Sequence, residues 1–207
     1  LCVICEKNSA MKKTLIFLIF MILISLNIKG QNGIPKMELK QNGFVGVELD
    51  STKNFIVIEI PNKKKSDLYK STLIYLNGIY NNPQKVLSTI ENEAIVINGL
   101  TNLIKDKDEL YDYRLFYNIN IQFKDGKLKF QPTVTELIEI FSSINRESRI
   151  YIANTDSPKD IEINCIWMES KKSKEYFLFK DNIKIKLDNW VNDYMTNLLN
   201  GIEKNDW

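Results

Sequence analysis

The stretch that decides the fold is LYDYRLFYNINIQFKDGKLKF, residues 110–130. From Tyr111 to Phe123 every odd-numbered position carries an aromatic or aliphatic side chain, and the even-numbered positions are polar apart from Phe116. Successive side chains of a strand point to opposite faces of a sheet, so this alternation predicts a long strand with one buried and one solvated face. Such strands are typical of antiparallel sheets that are covered on one side only.

The dipeptide Asp125-Gly126 ends this strand and predicts a hairpin with a type I′ turn. A turn at this point sets the register of the returning strand and places Phe123 opposite Leu128. Because Pro132 has no N–H, we expect it to limit how far the returning strand pairs in the centre of a sheet. In this register the solvated face brings together six side chains, which we expect to point into water: Asn118, Asn120 and Gln122 beside Thr133, Gln131 and Lys129.

The segments before this hairpin carry strand and helix signals. Asn42-Gly43 predicts a short hairpin, and residues 54–60 read as a buried strand. A helix should begin at Ser66, a good N-cap residue, and stop before Pro83. Two further strands are expected on either side of residues 91–93. The buried face of the helix should comprise Leu68, Thr72, Tyr75, Leu76 and Ile79.

The C-terminal part predicts three more strand regions and a helix. The strand regions are residues 149–153, 161–168 and 176–186, the last as a hairpin around Asp181-Asn182. A helix capped by Asp188 should follow, because its apolar residues recur at steps of three and four. The expected apolar stripe is Leu187, Trp190, Val191, Tyr194, Met195, Leu198, Leu199 and Ile202.

Composition excludes several classes of site. The chain has no histidine, so imidazole-based catalysis and imidazole metal sites are excluded. It has no glycine-rich nucleotide loop, and we expect neither a metal nor a cofactor. Cys2 and Cys5 lie near the N-terminus, while Cys165 lies in an alternating apolar stretch, which indicates a buried and unreactive thiol.

The N-terminal residues have the features of an export signal. Residues 11–30 begin with Met11, continue with two lysines and an apolar run too short for a membrane span, and end at a plausible Gly30-Gln31 cleavage junction. We interpret residues 1–10 as translated upstream sequence, so the exported protein would start near Gln31 and have no membrane segment. No cysteine lies directly after the apolar run, so we expect a periplasmic or extracellular protein that is not a lipoprotein.

The net charge of the expected exported protein differs from that of the full chain. The chain has 28 basic and 26 acidic residues, of which four and one lie in residues 1–30. Residues 31–207 therefore carry 24 basic and 25 acidic residues, a net charge of −1. A chain with this balance gives no electrostatic basis for binding nucleic acid.

The ordered elements from Phe44 to Ile140 resemble the DUF4468 family, an uncharacterised family described as having a TBP-like fold, whose members are mostly exported proteins of Bacteroidetes. The residues that carry the resemblance are the strand FIVIEI, the LY that opens the helix, NNPQKV, and the strand that ends in KDGK. The resemblance implies an α+β fold, a TBP-like antiparallel sheet in the order β-α-β-β-β-β with two helices on one face, the C-terminal helix among them. It implies no activity and no functional residue. On this basis residues 31–43 are an N-terminal extension with a hairpin, residues 44–140 the family-like core, and residues 141–207 the strands and helix that complete the domain.

Two kinds of function remain open. The first is a non-enzymatic binding or scaffolding module whose solvated sheet face, with the six polar side chains named above, holds a protein, peptide or glycan of the cell envelope. The second is an envelope hydrolase that uses carboxylates of the 106–112 segment, since carboxylate pairs can act as acid and base. The lysines between these carboxylates favour a solvated turn instead. The acidic side chains concerned are Asp106, Asp108, Glu109 and Asp112.

Overall fold

The computed structural model describes residues 34–47, 52–103, 111–141, 144, 146–153, 164–170 and 173–204, all within the unit Ile34–Trp207. The expected leader, its cleavage junction, residues 104–110 and Ile161 and Ile163 lie outside these ranges. The strands are β1 Met37–Lys40, β2 Gly43–Gly46, β3 Ile56–Glu59, β4 Leu87–Ile90, β5 Ala94–Leu103, β6 Tyr111–Lys124, β7 Lys127–Phe141, β8 Arg146–Ala153, β9 Cys165–Glu169 and β10 Tyr176–Leu178. The helices are α1 Lys65–Ile79, α2 Pro83–Val86 and α3 Asp181–Lys204.

The β6–β7 hairpin has the register that the sequence predicts. Phe123 lies opposite Leu128, and Ile121 lies opposite Phe130. The odd-numbered residues of β6 from position 113 to 123 are all buried, as the alternation predicts. Tyr111 is the exception. It is 37% exposed and lies at the end of the hairpin away from the turn.

The turn of this hairpin is not type I′. That turn requires positive φ at both central residues, whereas here Gly126 alone has it, at +71°. Tertiary contacts hold the turn instead: Asp125 Oδ1 accepts a hydrogen bond from the Lys65 backbone N–H at 2.8 Å, and the Gly126 N–H donates to the Lys63 carbonyl at 2.8 Å. The described non-glycine residues with positive φ are Asn62, Asn92 and Lys174.

The main sheet has the order β10-β9-β8-β7-β6-β5-β4, and β3 also pairs with β7. Strands β3 and β8 use different parts of one edge of β7, namely Lys127–Phe130 and Leu137–Phe141. Pro132 lies between these two parts, where its missing N–H removes no bond to either strand. On the other edge β7 pairs with β6 past Pro132, which lies opposite Ile119. Pro132 therefore leaves the pairing with β6 unbroken and, on the other edge, lies in the gap between β3 and β8.

One strand pair departs from the expected antiparallel sheet. Strands β8 and β9 are parallel, with Tyr151 opposite Cys165 and Ala153 opposite Trp167. Cys165 is fully buried, and burial raises the pKa of its thiol, which agrees with the expectation of an unreactive cysteine.

The two long helices lie together on one face of the sheet, which we call the inner face. They contact each other and the strands β5 and β6 through the odd-numbered side of β6. The order β3-α1-β4-β5-β6-β7 is the β-α-β-β-β-β order that the family resemblance implies, and α2 is an additional short helix that begins with Pro83. The fold is therefore α+β, with the C-terminal helix on the same face as α1. Among the described residues, no helix is both long and apolar enough to cross a membrane.

Helix α3 begins earlier than the sequence predicts. It starts at Asp181, where a strand hairpin was expected, because Ile183 and Leu187 are four residues apart and both lie fully buried on the helix face that continues the apolar stripe. Ile185, which gave the segment its alternating appearance, is 50% exposed. Asp188 is consequently not a cap. It forms an ion pair with Lys184 at 2.6 Å one helical turn earlier.

Helix α1 also differs from the sequence prediction at both of its ends. Its N-cap is Lys64 and not Ser66, which lies within the first turn. The carboxylate that binds a free N–H at this end is that of Asp125 from the β6–β7 turn. At the other end Ile79 is 46% exposed, although the spacing placed it on the buried face with Leu76.

The β1–β2 hairpin has the expected position around Asn42 and packs on α3. Asn192 of α3 accepts a hydrogen bond from the Met37 N–H at 2.9 Å and donates to the Met37 carbonyl at 2.8 Å. Asp188 accepts a bond from the Leu39 N–H at 2.7 Å. Side chains of α3 thus satisfy the backbone of β1, which would otherwise be an open strand edge.

Candidate functional site

The predicted site lies on the outer face, the face of the sheet opposite α1 and α3. Cross-strand pairing is as the hairpin register requires. Strand β5 extends the same rows, since Asn98 lies opposite Asn118. We call the six side chains the outer-face patch; the pairs are Asn118 with Thr133, Asn120 with Gln131, and Gln122 with Lys129.

Hydrogen bonds connect the patch to neighbouring amides. Asn118 Nδ2 donates to Asn98 Oδ1 at 2.9 Å, and Gln131 Nε2 donates to Asn54 Oδ1 at 3.2 Å. The ammonium of Lys129 lies 4.2 Å from the centre of the Phe55 ring.

Burial within the patch is uneven. Gln122 and Thr133 are exposed, whereas Asn118, Asn120 and Gln131 are half-buried, so these three are less exposed to water than expected. Neighbouring side chains lie beside the central rows, namely Asn98 of β5 and Asn54 and Phe55, which come just before β3. Asn120 Oδ1 is fully buried and has no hydrogen-bond partner among the described residues.

A second group of polar side chains lies on the inner face, and sequence reasoning missed it. The hydroxyl of Tyr80 lies 3.0 Å from that of Tyr117 and 2.9 Å from that of Tyr194. These residues, which we call the tyrosine triad, come from the end of α1, from β6 and from α3. Trp190 packs on the Tyr117 ring at a centroid distance of 4.8 Å.

The tyrosine triad is protonated at neutral pH. Burial is the main cause that raises the pKa of each of the three hydroxyls well above its ordinary value of 10.0. The three groups can therefore act as hydrogen-bond donors and acceptors, and none of them supplies a negative charge.

A cleft of about 350 Å³ adjoins both groups. Its walls include two members of the tyrosine triad and the outer-face residue Asn98, which binds the outer-face patch through Asn118. This volume is at the small end of the range for ligand sites. The residues that line the cleft are Tyr80, Val86, Asn98, Gly99, Leu100, Phe116, Tyr117 and Thr135.

Gly99 lines the cleft and makes room for the Tyr117 ring of the tyrosine triad. A Cβ atom at this position would lie 2.1 Å from the Tyr117 ring, so only glycine lets the ring lie over β5. A glycine inside a strand marks such close approaches, and this was the signal in the sequence that could have indicated the triad. The three tyrosines themselves fit ordinary apolar positions, so no local pattern distinguishes them.

Of the alternative site, the carboxylates of the 106–112 segment, the structure describes only Asp112. Asp106, Asp108 and Glu109 lie outside the described residues. Within the described ranges no group of three or more acidic or cysteine side chains is placed to hold a metal ion.

Comparison with known proteins gives a fold and a family. The family model that matches is DUF4468, a domain of unknown function with TBP-like fold, over residues 55–135. No curated protein matches the chain. A TBP-like protein from Parabacteroides distasonis is 11% identical, with 72% of this chain and 90% of that chain covered and a TM-score of 0.48. A DUF4468 family protein from Bacteroides ovatus is 11% identical, with 72% and 84% covered and a TM-score of 0.45. The family model confirms, over residues 55–135, the resemblance to the DUF4468 family that the sequence indicates.

Proposed function

We propose that this chain is an exported cell-envelope protein that binds a ligand on its outer-face patch and catalyses no reaction. Both long helices pack on the inner face, so no helix among the described residues covers the outer face of β5, β6 and β7. Gln122 and Thr133 are exposed there, beside half-buried amides.

The buried oxygen of Asn120 is the observation that carries the proposal. A buried acceptor without a hydrogen bond costs free energy, and such groups in native proteins call for an explanation. Asn120 Oδ1 lies among amides that are already bonded to each other, Asn118 to Asn98 and Gln131 to Asn54. Rotation of the half-buried side chain would bring this oxygen to the surface of the sheet, where a ligand that donates a hydrogen bond would remove the cost.

The chemistry of the outer-face patch favours a neutral ligand rich in hydroxyl groups, that is, a glycan. Each amide offers an acceptor and two donor hydrogens close together, which suits neighbouring hydroxyls. Lys129 is the one charged residue of the six, and its ammonium lies over the Phe55 ring. The net charge of −1 expected for residues 31–207 gives no attraction for nucleic acid.

The binding proposal can be tested on an array of neutral and charged glycans and of peptides. We expect the purified protein to retain neutral glycans, and a variant with Asn118→Ala, Asn120→Ala and Gln131→Ala to lose them while keeping its circular dichroism spectrum. Asn77→Ala is the matched control, because Asn77 is an exposed asparagine on α1. Full retention by the triple variant would place binding elsewhere, and a triple variant that unfolds would mean that the face is covered. Cleavage products in the same incubation would favour the hydrolase.

Export can be tested separately. The full chain is expressed in a Gram-negative host, and the periplasmic, extracellular and detergent-extracted membrane fractions are measured by intact mass. We expect a species that begins at Gln31, because the apolar run has the length of a cleaved signal. A membrane-extracted species that retains Met11 would contradict this proposal and leave the binding proposal untouched.

A further inference from the structure

The cleft beside the outer-face patch offers hydrogen-bond donors in excess. The tyrosine triad contains three hydroxyl protons and two hydrogen bonds, so one proton has no acceptor within the triad. No other bond of these hydroxyls is found among the described residues. The two bonds can be directed in three ways, since Tyr80 has a single proton to donate. Two of these ways leave the spare proton on Tyr80 or Tyr117, the members that line the cleft.

Asn98 adds further donors. Its Oδ1 accepts the bond from Asn118 Nδ2, so its own Nδ2 group is what it can offer to a ligand. The side chain is exposed at the point where the cleft meets the outer-face patch. A ligand that occupies the cleft therefore meets donors from two sides.

The remaining walls are apolar or uncharged. Leu100 is 55% exposed and lies opposite Phe116 on the neighbouring strand. Val86 also lines the cleft. None of the residues that line the cleft is charged, so a carboxylate or an ammonium group would lose its hydration without gaining a counter-ion. The complementary ligand is a neutral group that presents a carbonyl oxygen beside a small apolar moiety.

We propose that the cleft binds the acetamido group of an N-acetylated amino sugar whose chain continues across the outer-face patch. The carbonyl oxygen would accept bonds from the tyrosine triad and Asn98, and the methyl group would lie against Leu100 and Phe116. This inference rests on the proposed function, because it names the class of glycan that the patch holds.

Matched saccharides test the inference by calorimetric titration of the purified protein. Chitotetraose carries the acetamido group, cellotetraose carries a hydroxyl in its place, and the tetramer of glucosamine carries an ammonium. We expect chitotetraose to bind roughly tenfold more tightly than cellotetraose, since one or two hydrogen bonds are worth about that factor. The glucosamine tetramer should bind more weakly than both. An N-acetylated tetrapeptide distinguishes a peptide source of the same group and should not compete.

Two variants separate the cleft from the patch. Tyr80→Phe removes the central hydroxyl and should abolish the preference for chitotetraose while binding to cellotetraose persists. Tyr75→Phe is the control, because it makes the same chemical change on a half-buried tyrosine that does not line the cleft.

Each result decides between the two proposals. Equal affinity for chitotetraose and cellotetraose, lost together in the triple alanine variant, would overturn the acetamido site and leave the binding module standing. Absence of binding to all three tetramers would also overturn it, and retention of other neutral glycans on the array would then show whether the binding module stands. Competition by the acetylated peptide would overturn the assignment to a sugar. A preference for chitotetraose that survives Tyr80→Phe would place the acetamido group outside the cleft.

Discussion

The two faces of strand β6 differ in burial, although the residues of the two faces alternate along the same strand. On the inner face Leu115, Ile119 and Ile121 are fully buried under the helices. On the outer face Asn118 and Asn120 are half-buried among other amides. One face forms the core of the domain, and the other is the face on which we propose that a ligand binds. The comparison therefore separates residues whose change should unfold the protein from residues whose change should alter only its ligands.

The largest effect should come from the inner face. Leu198→Ala removes a side chain of α3 that is fully buried, so we expect the free energy of unfolding to fall by about 2–5 kcal/mol. The matched control is Leu100→Ala on the outer face, where the side chain is 55% exposed and the change should stay within about 0.5 kcal/mol. Urea denaturation measures both. Similar losses for the two leucines would mean that the faces do not differ as described.

The turn of the β6–β7 hairpin should give the next effect. Gly126→Val forces a β-branched residue into a φ of +71°, which should cost about 1–3 kcal/mol. A Cβ there would meet nothing closer than the Ile60 carbonyl oxygen at 4.0 Å, so the cost comes from backbone conformation and not from a clash. Gly126→Asn is the control, since asparagine tolerates positive φ and should lose less. A melting temperature that is equal in wild type and the valine variant would contradict this account.

The tyrosine triad makes stability depend on alkaline pH. Because burial raises the pKa of the triad in the folded protein, the unfolded chain loses these protons first, near its ordinary pKa of 10.0. The unfolded state then binds fewer protons than the native state, so the stabilisation is complete below that pH and decreases as pH rises above it.

Tyr80→Phe tests this polar cluster of the inner face. At neutral pH it should cost about 0.5–1.5 kcal/mol for each of the two hydrogen bonds that are lost. The fall in stability between about pH 8 and about pH 11 should also become smaller than in the wild type, because one titrating group is gone. Urea midpoints at the two pH values provide the measurement. An unchanged pH dependence would mean that Tyr80 ionises normally in the folded protein.

The smallest effect should come from Asn120→Ala on the outer face. The change removes a buried oxygen that has no partner among the described residues, so we expect a stability within about 0.5 kcal/mol of the wild type, on the stabilising side. Ile119→Ala, the neighbouring position on the inner face, should instead cost several kcal/mol, in the range of about 2–5. Thermal unfolding compares the two. A large loss for Asn120→Ala would show that its side chain supports the fold.

The sequence predicts the candidate site in part. The six side chains of the outer-face patch and their pairing follow from the alternation in β6 and the position of the turn. Their burial does not follow, because the side chains beside them come from β5 and from the residues just before β3. The tyrosine triad was not predicted, since Tyr80 lies 37 residues from Tyr117 and 114 residues from Tyr194 along the chain, and only Gly99 indicates a close approach in this region.

What the sequence by itself determined is local. The long strand β6, its hairpin register and the apolar stripe of α3 all depend on side chains that recur at steps of two, three or four residues, so backbone geometry is enough to relate them. Only the tertiary structure decided the conformation of the Asp125-Gly126 turn, the start of α3 at Asp181 and the parallel pairing of β8 with β9. Each of these depends on contacts between residues far apart in the chain, and such contacts outweigh local preferences because they bury apolar surface and satisfy backbone hydrogen bonds.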